Sequence, residues 1–202
     1  MTTAGLLLAA GAGRRMGQPK ALVELAGQPL LRRALDVLRA GGCSPLVVVL
    51  GARAEQAAEL VPDDVSVVVA DDWADGMGAS LRAGLAALEQ RDTPAALVHL
   101  VDLPGVGAEA ISRLVGALDT GSGRDTLARA GYHGVPGHPV LLGRSHWDGV
   151  RAAAVGDAGA RDYLAGHPAL RLVECGDVAD PRDVDTPEAL RTQAGRAGTD
   201  TG

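Results

Sequence analysis

The sequence predicts one doubly wound α/β domain on a mostly parallel sheet, and three observations carry that prediction. Four apolar runs, at 5–10, 46–50, 66–70 and 96–101, are continuous rather than alternating, as strands buried on both faces are. Segments with apolar residues at helical spacing lie between them. The 202 residues suffice for one sizeable core and do not require a second. Strands and helices in alternation form βαβ units with right-handed crossovers, which build an open sheet with helices on both faces.

The first run passes into Leu6–Lys20, LLLAAGAGRRMGQPK, a glycine-rich loop with three cationic side chains. Gly11, Gly13 and Gly17 are expected to let the chain turn tightly and aim N–H groups at an anion, with Arg14, Arg15 and Lys20 supplying charge. A Walker loop is excluded, because Gln18-Pro19-Lys20 follows Gly17 where Lys-Ser/Thr is required. The dinucleotide fingerprint G-x-G-x-x-G fails by one position, at Met16, and the second run ends at Leu50-Gly51 without the acid that would hold a ribose.

Pro29 suits a first helical position, after which Leu30, Leu31, Ala34, Leu35 and Leu38 form one apolar face before Gly41 ends the helix. The third run leads into Asp71–Gly76 and then a helix with Leu81, Leu85 and Leu88 inward and Ser80 at its start. The fourth ends at Asp102-Leu103-Pro104, where a strand must stop. Ile111, Leu114, Val115 and Leu118 make the next helical face. Beyond these, strands are expected near 126–132, 138–142 and 170–174, with helices near 145–154, 158–165 and 187–194. Residues 195–202, GRAGTDTG, lack an apolar anchor and read as a disordered tail after a domain of 1–194.

Composition narrows the function. The formal net charge of −6 argues against nonspecific binding to nucleic acid or an acidic membrane. With no Phe, two Trp and two Tyr, the core is expected to be Leu, Val and Ala, and base recognition to use backbone edges rather than aromatic stacking. Cys43 and Cys175 are far apart and without metal-ligand spacing, and read as reduced thiols. The apolar stretch 4–10 is too short to span a membrane and lacks the basic lead of a signal peptide, so a cytoplasmic protein is expected.

Ligands on such sheets bind beyond the carboxyl ends of the strands, which gathers the first loop, Asp71–Gly78 and Asp102 around one crevice. Taken alone, several of these residues have plain structural readings. Asp71–Gly76 fits a solvated turn, Asp102 a turn cap, Asp185-Thr186-Pro187 a helix start, Asp157 a helix cap and His138 a packed residue beside Pro139. A carboxylate beside phosphate-binding glycines equally suits Mg²⁺, which takes oxygen ligands from one or two carboxylates and from phosphate. His99, inside a strand, reads as packed.

The loop Leu8–Gly17 with Pro19-Lys20 resembles the signature of the molybdenum cofactor nucleotidyltransferases, the cytidylyltransferases most of all, within the MobA-like NTP transferase family. Gly76–Leu81, Val101–Pro104, Gly137–Val140, Gly156–Arg161 and Asp183–Glu188 recur in family order, with Leu103 standing where many relatives carry Gln or Met. The resemblance implies a Rossmann-like nucleotidyltransferase domain that moves CMP from CTP to the terminal phosphate of molybdenum-bound molybdopterin. It implies nucleotide contacts from Leu8, Ala9, Ala10, Gly11, Gly13, Arg14, Arg15, Lys20 and Ser80. Arg15, Lys20 and Asp102 would be catalytic. Mg²⁺ would sit on Asp102 and Asp185, with Asp183 as substitute, and the acceptor would meet His138, Asp157 and Arg161. A monomer that hands its product to a molybdoenzyme or its chaperone is expected. The rival readings are a guanylyl or sugar-phosphate nucleotidyltransferase, a nicotine-blue-type NAD(P)H oxidoreductase, and a noncatalytic delivery module.

Overall fold

A computed structural model describes residues 2–118 and 122–197. Its strands are β1 (Ala4–Leu8), β2 (Glu24–Leu25), β3 (Gln28–Pro29), β4 (Leu46–Leu50), β5 (Ser66–Val69), β6 (Ala95–Leu100), β7 (Leu127–Tyr132), β8 (Val135–Gly143) and β9 (Leu170–Glu174). Its helices are α1 (Leu30–Ala40), α2 (Ala54–Ala58), α3 (Met77–Leu88), α4 (Ala108–Val115), α5 (Trp147–Ala153), α6 (Arg161–Leu164) and α7 (Pro187–Ala197). Seven strands form one sheet in the order β5-β4-β1-β6-β8-β7-β9, while β2 and β3 make a separate small hairpin. Only β8 runs against its neighbours, pairing antiparallel with both β6 and β7. The expected α/β fold with a mostly parallel sheet is therefore the fold observed.

The central strands are buried along their whole length because each has helices on both faces. Leu7, Val48 and Leu97 point to one side, where α1 and α4 bring Leu31, Leu35, Leu38, Ile111 and Leu114. Leu6, Val47, Val49 and Val98 point to the other, against Leu81, Leu85 and Leu88 of α3 and Trp147 and Val150 of α5. Each fully buried Leu contributes about 1.5–3 kcal/mol of transfer free energy, so this pair of interfaces dominates the favourable side of folding. The core is aliphatic, as the composition predicts. Its buried Trp147 indole is satisfied by the Leu142 carbonyl at 3.0 Å.

Glycines set how closely these layers approach. A Cβ at Gly41 would lie 2.4 Å from the Ile111 side chain, which lets the end of α1 meet α4. A Cβ at Gly78 would lie 2.6 Å from the Ala154 carbonyl oxygen, so the start of α3 touches the backbone just after α5.

Several details differ from expectation. Pro29 ends β3 with ψ 138° and caps α1 instead of opening it. The β2–β3 hairpin and α2 went unpredicted, being two-residue strands and a five-residue helix with no periodicity to detect. α3 begins at Met77, which places Ser80 inside its first turn rather than at its start. Residues 195–197 continue α7, and 198–202 lie outside the described residues. Both cysteines are buried free thiols, with burial pushing Cys43 up to about 12. Among the described residues no helix is long and apolar enough to cross a membrane.

Gly78→Ala is expected to cost about 1–3 kcal/mol despite the better helix propensity of Ala, because the new methyl meets backbone that cannot rotate away. Chemical denaturation measures this, and an unchanged midpoint would mean that the 154–156 segment is free to shift off α3.

Candidate active site

After β1 the chain stays pinned to β4 for two more residues. The Ala9 amide donates to the Val49 carbonyl at 2.9 Å, and the Ala10 carbonyl accepts from the Ala52 amide at 3.0 Å. The loop then turns on Gly13, whose carbonyl accepts from both Met16 and Gly17 amides at 2.9 Å. Gly13 is held at φ +60°, and a Cβ there would fall 1.9 Å from the Gln18 carbonyl oxygen, so no other residue fits. Gly17 also has a positive φ, whereas Gly11 does not and has open space where its Cβ would be. Gly13 and Gly17 therefore use glycine's torsional freedom and Gly11 does not, a correction to the expectation that all three serve the turn.

The loop ends at Lys20, whose ammonium lies between two carboxylates from distant parts of the chain. Lys20 Nζ is 2.6 Å from Asp102 Oδ2 and also donates to Asp185 Oδ1, while Arg15 Nη2 donates to Asp185 Oδ2. Asp102 stands two residues past the end of β6. Asp185 is delivered to it by the last connection, because the Val184 amide donates to the Asp102 carbonyl at 2.9 Å and the Asp180 amide to Gly105 at 3.0 Å. Asp183 completes an acidic triad with Asp102 and Asp185, their oxygens within 4.8 Å of one another.

The electrostatics follow from this crowding. Burial works to lower the Lys20 pKa, but the Asp102 charge and hydrogen bonds to Asp102 and Asp185 outweigh it, so the ammonium is held more firmly than usual. Burial works to raise Asp185, yet the hydrogen bond and charge of Lys20, then Asp183 and Arg15, hold it below the ordinary carboxylate range. Asp183 goes the other way, pushed up by burial and by its neighbours Asp185 and Asp102.

A cleft of about 420 Å³ opens beside this cluster, within the range of small-molecule sites. Leu8–Arg15, Lys20, Leu100–Asp102 and Asp185 line it. Trp73, Ala74, Gly76, Met77, Ser80 and Asp157 complete its wall. Every residue predicted to contact the nucleotide thus lines one cavity, together with both predicted metal carboxylates.

Two distant motifs form that wall together. Gly76 has φ +110°, and a Cβ there would be 2.5 Å from the Gly156 backbone. The close approach places Asp157 in the nucleotide-sized cleft, although the sequence assigned it to the acceptor. Trp73 lies in Asp71–Gly78, the segment expected at the crevice, although its ring was given no role there. Its ring covers Gly51, where a Cβ would lie 2.5 Å from Trp73 Cγ, and it gives the cleft an aromatic surface where only backbone edges were expected.

The other acceptor candidates lie outside this lining. Arg161 is exposed at the start of α6, with Asp162 as its nearest acidic neighbour at 4.0 Å. His138 sits on β8, partly buried, and is pushed down to about 4 by burial and the Arg129 charge against the opposing pull of Asp102. It is therefore neutral at pH 7. His99 is packed as predicted, 1% exposed and lowered to about 3 by burial and then by His138.

A family model described as the MobA-like NTP transferase domain matches residues 5–172. Nicotine blue oxidoreductase of Paenarthrobacter nicotinovorans is 37% identical over 198 residues, covering 92% of this chain and 93% of that protein. The bifunctional protein GlmU of Kineococcus radiotolerans is 33% identical over 199 residues, which is 96% of this chain but only 38% of GlmU. Among solved structures, Rv0371c of Mycobacterium tuberculosis H37Rv in complex with manganese superposes with a TM-score of 0.75 at 27% identity, over 96% of this chain and 99% of that one.

Lys20→Met removes the only ammonium held by the triad. Mn²⁺ affinity of the nucleotide-free protein, measured by calorimetry, is expected to rise by about tenfold or more as the carboxylates lose their internal cation. Unchanged or weaker Mn²⁺ binding would separate Lys20 from the acidic cluster electrostatically.

Proposed function

The chain belongs to the MobA-like NTP transferase family, and on that premise we propose that it transfers CMP from CTP to the terminal phosphate of a molybdopterin-type acceptor, releasing pyrophosphate. The observation that carries nucleotidyl transfer is the joining of a glycine loop, Arg15 and Lys20 to Asp102 and Asp185 at one end of a nucleotide-sized cleft.

The acceptor oxygen attacks the α-phosphorus and the bond to the pyrophosphate oxygen breaks. An anionic phosphate acceptor needs no general base, so the protein's task is alignment and charge neutralisation. Arg15 and the loop hold the outer phosphates. Lys20 turns from the carboxylates to the α-phosphoryl oxygens, where negative charge is carried through the transition state. Ser80, 4% exposed at the first turn of α3, offers a hydroxyl to the base, and Trp73 offers a ring face.

The all-oxygen triad suits a hard dication, and the manganese complex of the related Rv0371c supports the same reading. Asp102 and Asp185 would hold Mg²⁺ or Mn²⁺, with Asp183 as third ligand. Such an ion supplies Lewis-acid stabilisation of phosphate charge.

A second reading, an NAD(P)H-dependent oxidoreductase, is favoured by the similarity to nicotine blue oxidoreductase over nearly both full lengths. Against it stand the failed dinucleotide fingerprint and the ion-paired Lys20. Thermal shift separates the two. CTP with Mg²⁺ is expected to raise Tm by several degrees and NADPH by much less, with Lys20→Ala removing most of the CTP effect. Tight NADPH binding with hydride transfer, and no pyrophosphate from any NTP and acceptor, would reverse the assignment.

Asp102→Ala is expected to lower turnover about 100-fold or more, the loss of one charge-stabilising centre. Near-normal metal-dependent turnover in the folded variant would remove Asp102 from the chemistry.

Nucleotide choice is assigned to Ala9 and Ala10, which line the cleft where the first strand ends. CTP is expected to exceed GTP by about 10–100-fold in kcat/KM, and glycine at both positions to narrow the ratio. Equal or better efficiency with GTP in the unmodified protein would replace the cytidylyl assignment while leaving nucleotidyl transfer in place.

A further inference from the structure

Three buried polar side-chain atoms have no hydrogen-bond partner among the described residues, and two of them belong to residues that line the same cavity. These are Nε of Arg33, on α1, and Nδ1 of His99, on β6. His99 stands two residues after Leu97 and so faces the same layer, where α1 packs. It is 1% exposed. Arg33 is half-buried, with Leu30 and Val37 one turn before and after it on the same helix face. The third atom, the Thr3 hydroxyl oxygen, belongs to a residue outside this lining.

The cavity has a volume of about 10 Å³ and is otherwise lined by apolar residues of α1 and of the stretch 101–106. That is room for one water molecule. Burial without a partner costs each nitrogen the hydrogen bond it makes to water in the unfolded chain, and one molecule that reaches both removes both costs. The donor pattern selects water. Arg33 Nε always carries a hydrogen and can only donate. The His99 imidazole is neutral, held down to about 3 by burial and then by His138, so Nδ1 is a donor in one tautomer and an acceptor in the other. A water molecule accepts from Arg33 and meets Nδ1 in either case, whereas a halide needs a hydrogen on both. Val101 and Leu103, the neighbours of Asp102 in sequence, both line the cavity, and Val101 lines the cleft as well.

We propose that Arg33 and His99 hold one internal water molecule, which ties α1 to the stretch of chain that carries Asp102. The site is independent of the nucleotidyl-transfer reading, since neither residue lines the cleft. It gives His99, which the chemistry does not use, a role beyond packing: with Arg33 it is a positioning residue for the backbone behind the acidic triad.

The test is a high-resolution crystal structure of the full chain, with a second crystal soaked in bromide, and water magnetic relaxation dispersion in solution for the unmodified protein, Arg33→Met, His99→Leu and His99→Asn. An oxygen within about 3 Å of both nitrogens, and no bromide signal there, are expected. Arg33→Met and His99→Leu are each expected to lose one long-lived water, and His99→Asn, whose amide reaches the position of Nδ1, to keep it. A bromide signal between the two residues, a dry contact, or the same water count in Arg33→Met as in the unmodified protein overturns the site. Arg33→Met changes a half-buried helix residue and keeps its stem, so the comparison survives a His99 variant that fails to fold. Hydrogen exchange tests the tie. The Val101 and Val106 amides, which donate to the Leu8 and Leu103 carbonyls at 3.2 and 3.1 Å, are expected to exchange about tenfold faster in Arg33→Met while those of the β4–β5 ladder do not. Equal loss of protection in both places, or in neither, overturns it.

Discussion

The ammonium of Lys20, shared between Asp102 and Asp185, is the interaction on which the site depends. It ties the end of the first loop to the end of β6 and to the segment before α7, three places that share no local contact in sequence. The partners are held from behind by backbone, through the Val184 amide on the Asp102 carbonyl, so the carboxylates do not have to find one another by side-chain freedom alone. Partly buried charges of this kind add little net stability when paired, but removing one partner leaves the others desolvated and unmatched. The cluster is better understood as specification: it fixes where residues 20, 102 and 185 stand before any ligand arrives.

Close backbone contact does for the wall around Gly76 what charge does for the triad. Gly76 and Gly78 have no side chain to hold the 154–156 segment away, so the second half of the chain docks directly on the start of α3. Asp157 enters the cleft as a result. The strands past β6 would otherwise form a sheet extension with no stake in the site. With β8 antiparallel beside β6, and this docking contact, the second half supplies part of the cavity wall.

Legibility followed the range of the forces involved. The buried parallel strands were readable because burial on both faces leaves continuous apolar runs, and the first loop because its glycines and charges act locally. Direction was not readable in β8, since an apolar run looks the same in either sense. Trp73 stayed hidden because its place depends on Gly51, a residue with no side chain to advertise the contact. Asp157 and Arg161 lie four residues apart in one motif, yet only the first faces the cleft; the chain leaves the wall through Gly159 at φ +55° and starts α6, a turn the sequence carries without indicating which side of it remains in the site. The tie between Asp102 and Asp185 was suggested by resemblance, since a hydrogen bond from Val184 to a residue 82 positions earlier leaves no periodic trace.

Charge balance sets the last constraint. Arg15 and Lys20 stand against the acidic triad of Asp102, Asp183 and Asp185, so the fully ionised cluster is one unit negative before a nucleotide arrives. That is a poor landing place for a triphosphate on its own. The crowding shows in Asp183, whose pKa is raised by burial and by Asp185 and Asp102. Relieving the excess needs another cation, and the triad offers it the oxygen ligands a hard dication prefers. Asp102, Asp183 and Asp185 would hold such an ion, whose charge would offset theirs and leave Lys20 and Arg15 to phosphate. The same reasoning accounts for a protein of net charge −6 that is proposed to bind polyanions, because the attraction is assembled within one cleft and owes nothing to the surface as a whole.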